Sequence, residues 1–405
     1  MRKINTSRFH RATRTTPREI NRQIVLNLVR EHAPLSRADL ARRMDVGRGM
    51  VTSLVSELIA DGSVYEGAIG YVPRGRKPRM LHIRTADRML IGVDVRFSLT
   101  YVMLADFAGR QVALETFPTH FDPDDLVPEL AVRIRVMLRE HGAAANCEGI
   151  GLVMPGMVDR RTGRVLNSPQ LGWRDVDVRD ALSEATGLPV HVENAPIACA
   201  LAQMWLNPRR SDGVDNFVYV TVSDGVGTGV VVHGEVVRGS GDTAGEFGHI
   251  PLSFGGPRCL CGMEGCLEAY TSNLATLARY SGEDVGEPGA RLRLREQGLT
   301  VTDLIARARA GDEKALGALT ESARFLGMGL AGIIHALNPA RIIVGGELTG
   351  AWDLLEGTLR ETIQRRSLTA AAAATPVLPE ESAFPRLLGA AALVVAPVFA
   401  APKVA

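Results

Sequence analysis

The stretch GEFGHIPLSFGGPRCLCGMEGCLE, residues 245–268, decides how the rest of the chain is read. It places three of the five cysteines, Cys259, Cys261 and Cys266, inside eight positions, with His249 upstream. Thiolates and imidazole are the ligands a tetrahedral zinc prefers. Three sulfurs and one nitrogen fill its four positions and leave none for a reactive water. The pattern predicts a structural zinc on His249, Cys259, Cys261 and Cys266. The competing reading is a buried thiol cluster or a disulfide. A Cys-Leu-Cys pair is too close for an easy bridge between its own members, and nothing in the sequence points to secretion.

The Gly-Glu-x-Gly-His opening at 245–249, the cysteine spacing and the Gly-Cys-x-Glu close at 265–268 resemble the zinc signature of the ROK family. That family groups sugar kinases with sugar-responsive transcriptional repressors. Weaker similarity runs through residues 90–405. The resemblance implies an α/β fold: a two-lobed, actin-like (RNase H-like) domain over 86–405. Its first lobe would span 86–196 plus a C-terminal segment, and its second 197–380.

A chain of 405 residues, 46% apolar and 22% charged, can bury the cores of two or three soluble domains. No charged segment followed by an apolar run opens the sequence, so no secretory signal is expected. The most apolar run, Leu387 to Ala401, is too short for a membrane span and contains Pro397; it reads as a buried terminal helix. Cys147 and Cys199 stand alone and read as core residues. These features predict a cytoplasmic protein with no membrane partner. The net charge of +1 conceals a division. Residues 1–80 carry 16 Lys and Arg against 7 Asp and Glu, whereas the remainder carries 30 against 38. A basic head on an acidic body points to a polyanion as the partner of the head.

Within the head, Ile20, Ile24 and Leu28 recur every four residues with Val25 and Val29 beside them, which predicts a helix over 17–31. Ser36 reads as the N-cap of a second helix, Arg37–Met44, with Leu40, Ala41 and Met44 inward. A turn at 45–47 leads to a third helix over 48–61 with Val51, Leu54, Val55, Leu58 and Ile59 apolar. Helix, glycine-containing turn, helix is the spacing of a DNA-reading helix-turn-helix. Ser63–Glu66 and Met80–Ile83 predict strands around a loop carrying Arg74, Arg76, Lys77 and Arg79, a wing able to lie in a minor groove. Arg37, Arg48, Thr52, Ser53, Arg76 and Lys77 are the candidate DNA contacts. Arginine suits guanine, and hydroxyls suit phosphates or bases. Residues 1–85 resemble the winged helix-turn-helix head of ROK repressors. That resemblance implies a palindromic DNA operator and a homodimer or homotetramer.

The kinases of the family bring four groups to phosphoryl transfer, and three are altered here. After Gly92 and Asp94 the first phosphate loop has Arg96, Phe97 and Ser98 where small residues are expected, and bulky side chains block backbone approach to phosphate. The second loop, 223–229, keeps its glycines but places Asp224 at a threonine position, where a carboxylate repels phosphate. The family's general base is the aspartate of Glu-Asn-Asp; here Glu193 and Asn194 are followed by Ala195, which accepts no proton. The adenosine-side loop at 345–347 is intact. The body reads as a sensor with no catalytic residue. The alternative is an ATP-dependent sugar kinase with a fused DNA-binding head.

The sugar contacts carried over from the family fall on Asn194, Glu246, His249 and Glu268. His249 would serve zinc through one ring nitrogen and a ligand through the other. Residues 168–173 resemble a lid over the sugar, with Gln170 in place of an asparagine. Glu246 and Glu268 acting only as supports of the zinc is the competing reading. The whole chain then reads as a DNA-binding transcriptional repressor of carbohydrate metabolism with a small carbohydrate effector.

Overall fold

The computed structural model describes residues 15–69, 77–206, 214–285 and 289–401. Three helices, α1 (Thr16–His32), α2 (Arg37–Met44) and α3 (Arg48–Ala60), precede an antiparallel pair, β1 (Val64–Ile69) and β2 (Arg79–Ile83). Local chemistry sets their ends. Ser36 and Asp39 close a reciprocal capping box on α2, which stops at Asp45 in the left-handed region at φ 50°. Leu35 bridges to Leu81 and adds a short third strand to the pair. Val51, Leu54, Val55 and Leu58 of α3 pack with Val25, Leu26 and Val29 of α1 and Leu40 of α2. The stripe on α1 departs from the sequence expectation: Ile24 is 42% exposed and Leu26 is buried instead. The helix is turned so that Gln23, Asn27 and Arg30 meet the body.

The body repeats one plan twice. In the first lobe, β3 (Met89–Val95), β4 (Leu99–Asp106) and β5 (Gln111–Pro118) form an antiparallel meander. After α4 (Pro123–Glu140), β6 (Cys147–Met154) adds in parallel beside β3. The excursion β7 (Met157–Asp159), β8 (Arg164–Ser168) and β9 (Trp173–Val176) makes a small separate sheet. Then α5 (Val178–Thr186) leads to β10 (Val190–Asn194), parallel to β6, and to α6 (Ala195–Trp205).

The second lobe uses β11 (Phe217–Val222), β12 (Val226–Val232), β13 (Glu235–Val236), β14 (Arg341–Gly345) and β15 (Val377–Pro379) in the equivalent order. Its helices are α7 (Leu267–Thr271), α8 (Asn273–Ser281), α9 (Ala290–Glu296), α10 (Val301–Arg309), α11 (Glu313–Leu337), α12 (Trp352–Arg366) and α13 (Ala370–Ala373). The chain closes with α14 (Pro385–Phe399), which follows β15 as α6 follows β10.

These two helices lie against each other between the lobes. A Cβ on Gly151 would strike the Ala390 carbonyl, and one on Gly389 would stand 2.9 Å from Ala198 Cβ, so glycine is what lets α14 seat this deeply. Residues Leu387 and Ala390 to Leu393 are buried, in keeping with the terminal helix read from the sequence. Among the described residues no helix is long and apolar enough to cross a membrane.

Candidate metal centre, ligand cleft and DNA-facing helix

His249 ends a single 3-10 turn, Phe247–His249, and Cys266 caps α7. Gly248 lies against the Val226 carbonyl and Gly265, at φ 73°, against the Ser253 carbonyl; a Cβ on either would collide with backbone. The loop therefore folds back on itself, with bridges from Pro251 to Cys266 and from Arg258 to Glu264. The ligand atoms of His249, Cys259, Cys261 and Cys266 all lie within 4.8 Å of one another. Cys259 Sγ is 3.7 Å from His249 Nδ1, and Cys261 Sγ is 3.7 Å from Cys266 Sγ. Ligands of a tetrahedral zinc stand about 3.5–3.8 Å apart, whereas a disulfide needs about 2.05 Å. Burial pushes the Cys259 thiol up and that of Cys266 to about 11. Such thiols need a nearby cation to become thiolates. The donor set fits zinc, and Nδ1 facing the sulfurs leaves Nε2 of His249 for a second partner.

The carried-over sugar contacts sit at the start of α6 (Asn194) and on the metal loop, where Glu246, His249 and Glu268 act on one another electrostatically. Asn194 caps α6, its Oδ1 accepting from the Ile197 amide at 3.1 Å, which leaves its NH2 group to donate. Buried Glu193 accepts the Asn194 amide at 2.9 Å and is ion-paired with Arg238. Glu246 is half-buried and makes no side-chain hydrogen bond among the described residues. Burial raises its pKa; His249 opposes the rise and Glu268 adds to it. Glu268 Oε2 accepts from the Val226 amide at 2.9 Å, and Oε1 lies 3.3 Å from Cys259 Sγ, whose proton a bound zinc would displace. It ties the metal loop to the β11–β12 turn, which favours a supporting role. Gln170 of the lid segment reaches the same turn, its Nε2 standing 3.5 Å from the place a Cβ of Gly225 would take.

The phosphate loops are closed from within. Arg96 Nε donates to buried Asp94 at 2.7 Å, and its guanidinium lies 4.6 Å over the Tyr101 ring. Arg386 of α14 binds the other oxygen of Asp94 at 2.7 Å. In the second loop, Gly227 and Gly229 face Pro196 of α6 rather than open space. Glu347 accepts from Asn273 Nδ2 at 2.9 Å. Ala195 is buried among Val153, Ala198, Ala390 and Leu393. The carboxylates in register with Val153, Glu193 and Asp94, are both ion-paired.

On the head, Arg48, Thr52 and Ser53 lie on the exposed face of α3 together with Gly49 and Ser56. Ser53 Oγ accepts from Arg18 at 2.7 Å. Arg37 is ion-paired with Glu66 of β1, so it braces the head internally. Lys77 is exposed two residues before β2, and Arg76 lies outside the described residues. Sequence reasoning missed Gln23, Asn27 and Arg30. Their spacing along one helix face was the available signal, but a polar stripe on a surface helix ordinarily means solvent.

The profile of the ROK family matches residues 90–396. A xylose repressor of Caldicellulosiruptor bescii is 28% identical over 373 residues, covering 88% of this chain and 90% of its own. A glucokinase of Halalkalibacterium halodurans is 32% identical over 290 residues, covering 70% of this chain and 87% of its own. Among solved structures, a ROK family transcriptional regulator, a homolog of the E. coli MLC protein, superimposes with a TM-score of 0.80 at 26% identity. That match covers 95% of this chain and 97% of the other.

Proposed function

This chain belongs to the ROK family, and from that membership we propose a DNA-binding transcriptional repressor of carbohydrate metabolism that senses a small sugar without phosphorylating it. The observation that carries the reading is a pairing of two features. A three-helix head whose α3 exposes Arg48, Thr52 and Ser53 is joined to a kinase-like body whose base position is buried Ala195. We divide the chain into a DNA-binding head, 1–85, and a sensing body, 86–405. Arg48, Thr52 and Ser53 meet the operator from α3, with Arg76 and Lys77 from the wing; the operator is a palindrome read by a homodimer or homotetramer. One structural zinc per chain holds His249 in place. Glu246 accepts sugar hydroxyls, Asn194 donates to them, and His249 Nε2 supplies a third contact. Glu268 acts through the metal loop. One relative that spans most of this chain is a xylose repressor, so D-xylose is the first effector to try. The protein works in the cytoplasm.

Three measurements on the full-length protein test this. Selection from random DNA should recover one preferred, symmetric sequence. Calorimetry should detect D-xylose or D-glucose binding that Glu246→Ala abolishes. A coupled ADP-release assay should show no turnover. Recovery of no preferred sequence removes the repressor reading. Turnover on the order of 1–100 per second would establish the kinase alternative in its place.

A further inference from the structure

The two helices between the lobes share an orientation. Asn194 caps the N-terminus of α6 in the ligand cleft, and Arg386 near the N-terminus of α14 holds Asp94 of the same cleft. Both C-termini end against the head. The last carbonyls of a helix have no partner within it. Here Trp205 O, at the end of α6, accepts from Arg30 Nη1 at 3.1 Å. At the end of α14, Val398 O accepts from Gln23 Nε2 at 2.8 Å and Phe399 O from Asn27 Nδ2 at 2.9 Å. Residues 23, 27 and 30 fall on one face of α1, so a single helix face satisfies the ends of two others. The Arg30 guanidinium lies 5.0 Å from the Trp205 ring centroid and 5.3 Å from that of Phe399, and its charge suits the negative end of both helix dipoles. Leu28, Trp205, Leu206 and Val398 pack around the joint.

We infer that Gln23, Asn27 and Arg30 are positioning residues that couple the DNA-binding head to the ligand cleft by capping the far ends of α6 and α14. The inference rests on the proposed function for the identity of what is bound at each end. Its physical content is that α6 is one rigid rod. Eleven residues at about 1.5 Å each carry a displacement of Asn194 about 16 Å to Trp205. A ligand that shifts Asn194 therefore shifts the carbonyls on which α1 is seated. Coupling of this kind requires two arrangements that the ligand distinguishes, and three polar hydrogen bonds with one stacked guanidinium can break and re-form without unfolding either partner.

The test compares full-length wild type with Q23A/N27A/R30A, and with N27A alone should the triple variant fold poorly. D-xylose and D-glucose serve as probes. Sugar affinity and affinity for non-operator DNA should stay at wild-type values, because neither surface is touched. Operator affinity should change by at least about fivefold, the lower end of ordinary allosteric coupling, and the operator response to sugar should vanish. Amide hydrogen exchange in α1, α2 and α3 should quicken. Wild-type operator affinity together with unchanged exchange in the head overturns the inference. Should wild type itself select no operator or bind neither sugar, the proposed function fails, while the exchange measurement still decides the joint.

Discussion

Cys261 is the exposed member of the metal cluster, and its sulfur lies opposite Cys266 at 3.7 Å. Structural zinc contributes on the order of 10 kcal/mol of apparent binding free energy in small domains. Cys261→Ser is expected to lower zinc content below one per chain and the melting temperature with it. Elemental analysis and thermal unfolding check both, and wild-type protein purified without chelator yet free of zinc defeats the site. Cys199 makes a different prediction. Burial raises its thiol from the ordinary 9.0 to about 12, against the opposing charge of Arg386. A folded pKa above the unfolded one means the stabilisation is complete below pH 9 and is lost as pH rises toward 12. Cys199→Ala should therefore lose stability less steeply with pH in that window, read by denaturant titrations at a series of pH values; parallel slopes refute it. At this scale the cluster of His249, Cys259, Cys261 and Cys266 was legible because ligand chemistry and spacing are both written locally. The role of Glu268 was not, because it depends on the amide of Val226 in a distant strand.

Among elements, the proposed operator contacts of the head are tested on α3 and on the segment before β2. Arg48→Ala is expected to cost about 1–3 kcal/mol of operator binding and to relax preference at one base, as a lost bidentate contact does. Lys77→Ala should weaken binding evenly across sequences and flatten its salt dependence, as the loss of the proposed phosphate contact requires. Titrations of operator and scrambled DNA at several salt concentrations separate the two; equal effects on both DNAs for Arg48→Ala defeat its assignment. The helices and strands of the head were readable from caps and periodicity. The rotation of α1 was not, because Ile24 and Leu26 are equally apolar and only the body decides which one is covered. The glycines of the second phosphate loop carry a similar ambiguity. A pattern assigns them to phosphate, whereas here they also make room for Pro196.

For the molecule as a whole, the duplicated sheet order sets both cleft walls, and the family resemblance made that plan legible before any coordinates. What no pattern conveyed is the second arginine, Arg386 of α14, brought onto Asp94 beside Arg96. Asp94 sits between Arg96 and Arg386, so Ala195→Asp alone should not restore phosphorylation of any sugar. General bases contribute about 10²–10⁴-fold, but positioning of the nucleotide would still be lacking. ADP release from the Ala195→Asp protein at kinase-like rates contradicts this. The seating of α1 on α14 has one more consequence, in the order of synthesis. Gln23 and Val398 are 375 residues apart, so the head leaves the ribosome long before its seat exists. A chain cut short before α14 carries a basic head that has lost two of the three hydrogen bonds seating α1. Such a fragment should cling to DNA indiscriminately, and only the finished polypeptide can hold its head in a defined pose.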